Sequence, residues 1–400
     1  MPLESLDNKI PMSHIDRVLI ILALMFECNP TLATFNLGQY GVLVLLVASL
    51  VFSGNHVVLI TKYTETFLLF VLWCGLTLLW SLDVSSAITN FAMITKCFVL
   101  VLFLTNRKYE LQFCLLSYSL INVVDAIILL PNIDLNALFT RGSRGTHVVY
   151  GVVWSTNLIC TMFAFSLFFL FLLFVFERKR KRKITYLVLM VPLLADILLL
   201  GSRQALVLAV GSIAFCYFFN DMKKMSSKKM FGIIFIVALF VCVYFYIMNN
   251  EILYQTIGQR IKGSDQESDS YRIALIKKGL DYFCDHPFLG TGLGSYEVLN
   301  NYVSAYSHNN YIELLVCTGF VGFLLYHLMV ISPVINTYRN RQLTQTSKTV
   351  VATLTLMSLF AEMVIVTYQV FQYHFIILLA YIISTNGFMI NEQDFREYDK

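Results

Sequence analysis

The chain has 400 residues, of which 58% are hydrophobic and only 14% charged, and a formal net charge of +4. A soluble domain is about 45–50% apolar and about 25% charged, so the composition excludes an ordinary water-soluble enzyme. Many apolar runs approach the roughly 20 residues that cross a bilayer, which indicates an all-α, polytopic membrane protein.

In chain order the apolar runs fall at 15–34, 37–53, 64–81, 85–105, 110–131, 148–176, 184–200, 204–220, 230–248, 310–335, 349–369 and 371–390. They predict about twelve transmembrane helices. The first run lacks a cleavage pattern and reads as a retained anchor. "ERKRKRK" at 177–183 puts six basic residues between two runs, and "KKMSSKK" at 223–229 puts four more. Short basic loops stay cytoplasmic, so these clusters call for no nucleic acid. With 177–183 inside, the basic stretches near 106–108, 223–229 and 336–348 also fall inside, as do both termini.

The opposite surface then carries two longer segments, 132–147 and a large extracytoplasmic loop at 249–309. This divides the chain into helices and an outer loop over 1–147, further helices over 148–248, the large loop, and the last helices over 310–400. A long insertion between membrane helices is usually functional. Within it, "GSDQESDS" (263–270) reads as a polar, mobile patch. From Tyr271 to Phe283 the residues Arg272, Ile276, Gly279 and Phe283 share one helical face, which predicts an amphipathic helix at the membrane interface. "HPFLGTGLGSY" (286–296) follows, too rich in Gly and Pro for regular structure. Its "GTGLG" reads either as a nest of amides for phosphate or as a plain turn. The nine cysteines form no CxxC pair and suggest neither disulfides nor a metal site.

Arginine dominates the outer side: Arg141, Arg144, Arg203, Arg260 and Arg272, beside Lys262, Lys277 and Lys278. Arginine where the positive-inside rule disfavours it points to a bound anion, and its planar fork suits phosphate. Arg203, in "LLLGSRQALVLAV" (198–210), is the sharpest instance; an ion pair with Asp196 is the structural alternative. Asp125, Asp196 and Glu362 sit near outer helix ends, placed to orient arginines or line a polar cavity. No acidic or histidine pair has metal-site spacing, which favours a metal-independent, cofactor-free mechanism.

"SHNNYIELLVCTGFVG" (307–322) sets His308 at the mouth of a membrane helix, with Asn309 and Asn310 as candidate N-caps. The partial positive charge of a helix N-terminus disfavours imidazolium, so His308 is suited to accept a proton from a sugar hydroxyl. A capping or hydrogen-bonding histidine is the alternative. Thr318, Gly319 and Gly322 are small residues at helical spacing, suited to close helix packing.

These residues also carry a family resemblance. His308–Asn309, followed by Gly319 and Gly322, resembles the signature of the O-antigen ligase and Wzy-type polysaccharide polymerase group of bacterial envelope glycosyltransferases. "HPFLGTGLGSY", "GSRQALVLAV" and "SDSYRIAL" resemble neighbouring family segments, so the resemblance covers about 190–330. It implies a fold related to the C-type glycosyltransferases and an inverting, metal-independent transfer at the outer face of the bacterial cytoplasmic membrane. His308 matches the general base, and Arg203 and Arg272 the diphosphate-stabilising arginines. Arg141, Arg144, Arg260, Asn309 and Tyr296 are the further candidates for substrate contact. The donor would be an undecaprenyl-diphosphate-linked glycan. The acceptor would be a second lipid-linked glycan in a polymerase, the preferred reading, or lipid A-core or a protein in a ligase. A chain-length regulator is a further expected partner. A transporter remains an alternative from another class, although such proteins bind substrate near the midplane between repeats and no repeat is visible here. A non-enzymatic membrane scaffold is a third.

Overall fold

The computed structural model describes residues 10–52, 59–108, 110–133, 147–219, 246, 249–251, 266–299 and 306–388. Every apolar run read from the sequence forms a helix, except 230–248, which lies largely outside the described residues. The helices are α1 (His14–Cys28), α2 (Asn36–Phe52), α3 (Lys62–Thr77), α4 (Val84–Thr105), α5 (Leu111–Leu129), α6 (Thr156–Phe176), α7 (Arg180–Leu199), α8 (Arg203–Phe219), α9 (Gln266–Asp285), the short α10 (Ser295–Leu299), α11 (Asn310–Arg339), α12 (Gln345–Glu362) and α13 (Phe371–Asn386). By length and composition five of the described helical segments can cross a membrane: Lys62–Trp80, Val84–Thr105, Leu111–Asn132, Thr156–Phe176 and Asn310–Arg339. The chain is therefore a multi-pass membrane protein, with five full-length spans among the described residues.

Two runs end differently from expectation. The run at 148–176 opens with a hairpin, β3 (His147–Val149) against β4 (Val152–Trp154), and only then becomes α6. Its turn residues Tyr150 and Gly151 both have positive φ, the geometry that suits a two-residue hairpin turn, and valine on either side favours strand. The last-but-one run stops being helical at Glu362 rather than 369. Two further two-residue strands, β1 (Ile10–Pro11) and β2 (Arg107–Lys108), pair in parallel.

The helices have readable starts. Ser13 and Asp16 form a capping box on α1, Asp83 caps α4 and Thr344 caps α12, each occupying amides that the first turn leaves unpaired.

The fold divides into two compact units. Residues 122–271 form one, and residues 1–121 with 272–400 form the other. In the first, α6 is apolar on every side and 78% of its span is buried, so it is the core against which α7 and α8 pack. In the second, α13 is buried from Phe371 through Ser384 and α11 packs on α3, α12 and α13. Spans of α3 and α4 are only 39% buried, which leaves their outer faces apolar and exposed, as lipid contact requires.

The decisive feature of this second unit is a break in α11. Gly319 has φ 65° and ψ −173°, a conformation essentially reserved for glycine. The segment 287–292 enters the break: Thr291 N donates to Val316 O (2.8 Å), Gly292 N to Cys317 O (3.1 Å), and Phe320 N to Pro287 O (2.9 Å). The indole of Trp73, on α3, donates to Thr318 O (2.9 Å). Three carbonyls that the break frees from their helical partners are thus all satisfied, as buried backbone groups must be. A Cβ on Gly319 would collide with the Phe288 carbonyl, and one on Gly290 with the backbone of residues 316–319. Gly319 therefore serves a helix break; Gly322, against Trp73, does serve the close helix packing read from the sequence.

Gly319→Ala should lower the thermal midpoint of the purified protein. The left-handed φ alone costs about 1–2 kcal/mol for a side-chain-bearing residue, and the collision adds to it. The expected fall is at least about 4 °C. Gly41→Ala, where an added Cβ meets nothing within 4 Å, should leave the midpoint unchanged or higher.

Candidate active site

The segment that fills the break is continuous with α9. On that helix Leu275 and Gly279 are buried and Arg272, Ile276, Tyr282 and Phe283 are half-buried, whereas Ile273, Lys277, Leu280 and Asp281 are exposed. The predicted face is thus the real one, but it rests on α11 rather than on a bare interface. Gly279 lies so close to Ile312 that a Cβ there would overlap it. Ile276 and Tyr282 pack on a buried cluster of Tyr296, Ile312, Val316 and Cys317. The helix also starts earlier than Tyr271, at Gln266, inside the patch read as mobile.

Tyr296, expected at the substrate, is a packing residue. It is 1% exposed and its hydroxyl donates to Leu275 O at 2.8 Å, tying α10 to α9. The phosphate-nest reading of "GTGLG" also fails. The amides of Gly290, Thr291 and Gly292 are already spent on His286 O, Val316 O and Cys317 O. The same loop is pinned from the other side by Ser81, whose hydroxyl donates to Leu293 O (2.7 Å), and by Leu82 N, which donates to the Ser295 hydroxyl (3.1 Å). The link between α3 and α4 thus helps hold the site.

His308 stands just before α11. Asn309 is the N-cap: its side chain accepts from Ile312 N (3.1 Å) and its amide donates to Met363 O (3.2 Å). Asn310, the other cap candidate, is instead fully buried and accepts from Thr367 N (2.8 Å) and Tyr368 N (3.0 Å), fastening α11 to the segment before α13. Ser307 N donates to Glu313 Oε2 at 2.9 Å. His308 itself is half-buried with φ 54°; apart from glycines, it and Tyr150 are the described residues with positive φ. A non-glycine residue held there costs about 1–3 kcal/mol and persists only where its surroundings over-determine it.

Tyr306 was not singled out from the sequence, yet it packs directly on His308. Its ring lies against the His308 imidazole, centroids 4.1 Å apart and tilted by 45°. Burial pushes its phenol above the ordinary range, opposed by the Arg272 guanidinium and reinforced by Glu313 and Glu297. Tyr306 thus packs on His308, just before α11, and feels the charge of Arg272 on α9. Aromatic residues in loops carry no periodic signal, and only the folded contact reveals this one.

Arg203 belongs to the other unit. Gly201, at φ 62°, closes the turn after α7, Ser202 accepts from Ala205 N (3.4 Å), and Arg203 is the exposed first residue of α8. The alternative of a hydrogen-bonded pair with Asp196 is not realised, because both Asp196 carboxylate oxygens are buried without a hydrogen bond. Arg141, Arg144 and Arg260 lie outside the described residues.

Residues 188–327 match the family described as O-antigen ligase. The match runs from α7 through the Gly-Ser-Arg turn, α9 and the break-filling loop to His327 on α11, and includes Arg203, Arg272 and His308. No curated protein matches the chain.

The backbone at residue 308 separates conformation from chemistry. His308→Gly and His308→Ala both remove the imidazole, but only glycine adopts positive φ without strain. The Gly variant should therefore unfold at a higher temperature than the Ala variant, by about 2–4 °C for about 1 kcal/mol, in the same detergent.

Proposed function

We propose that this protein is an inverting, metal-independent glycosyltransferase that polymerises undecaprenyl-diphosphate-linked oligosaccharides at the outer face of the cytoplasmic membrane. The observation that supports this reading is the match of residues 188–327 to the O-antigen ligase family, a segment that includes Arg272 on α9 and His308, which is held at positive φ against Tyr306 just before α11. In the reaction an acceptor hydroxyl oxygen attacks the anomeric carbon of the donor sugar, and the bond from that carbon to the diphosphate oxygen breaks. His308 takes the hydroxyl proton. Arg272 and Arg203 stabilise the charge that grows on the departing diphosphate, a contribution that can reach several kcal/mol. Arg141, Arg144 and Arg260 are further candidates for the anionic donor, and Asn309 holds the helix start under the base.

The second reading is the ligase that the family's description names, whose acceptor would be lipid A-core or a protein. Purified protein given a synthetic undecaprenyl-diphosphate oligosaccharide, alone or with lipid A-core, decides between them. Growth of the lipid-linked chain alone supports the polymerase; transfer only when lipid A-core is present supports the ligase.

His308→Asn preserves a local hydrogen-bonding side chain and removes the base. Its turnover should fall by about 10²–10⁴-fold. Wild-type rate should rise between about pH 5.5 and about pH 8.5 as an imidazole loses its proton, and that rise should vanish in the variant. Near-normal turnover in His308→Asn would leave the residue a local hydrogen-bonding group.

Arg203→Lys and Arg272→Lys keep the charge but lose the planar fork, so each should retain little transfer while the protein still folds. Full activity in both would remove the diphosphate role from these arginines.

A further inference from the structure

The bond from Ser307 N to Glu313 Oε2 does nothing to start α11. Asn309 already caps that helix, and Ser307 lies two residues before the cap. What the bond does is fix the backbone on one side of His308. Ser307 is 1% exposed and Glu313 5% exposed, so the contact is sealed from solvent. On the other side, Asn309 is tied to the Ser307 hydroxyl through its amide N–H (3.1 Å), to Ile312 N, and to Met363 O. His308 is suspended between two anchored neighbours in a conformation that a histidine does not adopt freely. Its imidazole then rests on Tyr306.

We propose that Glu313 is a positioning residue for His308: by holding Ser307 N, it imposes the left-handed backbone that directs the imidazole. This rests on the reading of His308 as the base. Glu313 itself is not placed to meet a substrate, because it is buried and its Oε2 is occupied by a backbone amide. Only an acceptor oxygen is required of it, and an amide side chain of the same length supplies one.

The test uses the full-length protein in detergent, with synthetic undecaprenyl-diphosphate oligosaccharide as the probe for both donor binding and turnover. Glu313→Gln should keep at least about one third of wild-type kcat, whereas Glu313→Ala, which leaves Ser307 N unpaired, should lose about 100-fold. Donor affinity should stay within about twofold of wild type in both, because the arginines that hold the diphosphate are untouched. Ser307→Ala loosens the same turn from its other side and should also lower kcat with donor affinity kept, so it carries the test if Glu313→Ala does not accumulate. An Ala variant as fast as wild type overturns the proposal. So does a Gln variant as slow as the Ala variant, or loss of donor binding together with kcat, which would mark Glu313 as a general packing residue. His308→Ala serves as the reference: if it alone retains turnover, the base reading fails, whatever Glu313 does.

Discussion

The break at Gly319 is the interaction on which the candidate site depends. A continuous α11 would keep the carbonyls of Val316, Cys317 and Thr318 within its own ladder and leave nothing for residues 287–292 to bind. Opening the ladder at one glycine converts those carbonyls into a docking seat for a loop and an indole. The loop continues directly from α9, so seating it fixes where α9 lies, and α9 carries Arg272. A backbone defect in one helix thereby sets the place of a charged side chain on another.

The turn before α11 follows similar logic at smaller scale. Its polar groups are nearly all spent on one another: Ser307 on Glu313 and Asn309, Asn309 on Ile312 and Met363, Asn310 on Thr367 and Tyr368. Such a network is costly if left half made, because unpaired polar groups in an apolar surround are expensive. Here it is closed on the backbone side, and the imidazole of His308 is the part presented by it. Strain at one residue is carried by hydrogen bonds on its neighbours.

Elsewhere in the same unit, buried charges are paired between helices. Lys96 meets Glu27 (2.6 Å) and Gln39 (3.0 Å), while Arg107 meets Asp16 (3.2 Å) and Ser49. His327 faces Phe323 O through Nδ1 (2.8 Å) and Glu362 through Nε2 (3.0 Å). A carbonyl can only accept, so Nδ1 is the donor in the contact with Phe323 O. These contacts join α1, α2 and α4 at one place and α11 and α12 at another. They add specificity of packing to a bundle whose apolar surfaces look alike to lipid and protein.

Periodicity and hydropathy are local, and they were enough to locate the long apolar helices, the buried face of α9 and the Asn309 cap. The hairpin at 147–154 escaped a reading based on apolar content, because valine-rich strands and membrane helices are equally apolar. Tyr296 was among the substrate-contact candidates; its burial and its hydrogen bond to Leu275 O decide for packing. The sequence showed the glycines of 290–294 as a turn or nest and Gly319 as a helix-packing residue, but not as two halves of one joint. That pairing belongs to the tertiary structure, since the carbonyls of 316–318 and the donors at 73, 291 and 292 meet only when residues far apart in the chain are folded together. The same holds for Tyr306, whose contact with His308 follows from the fold and from no pattern along the chain.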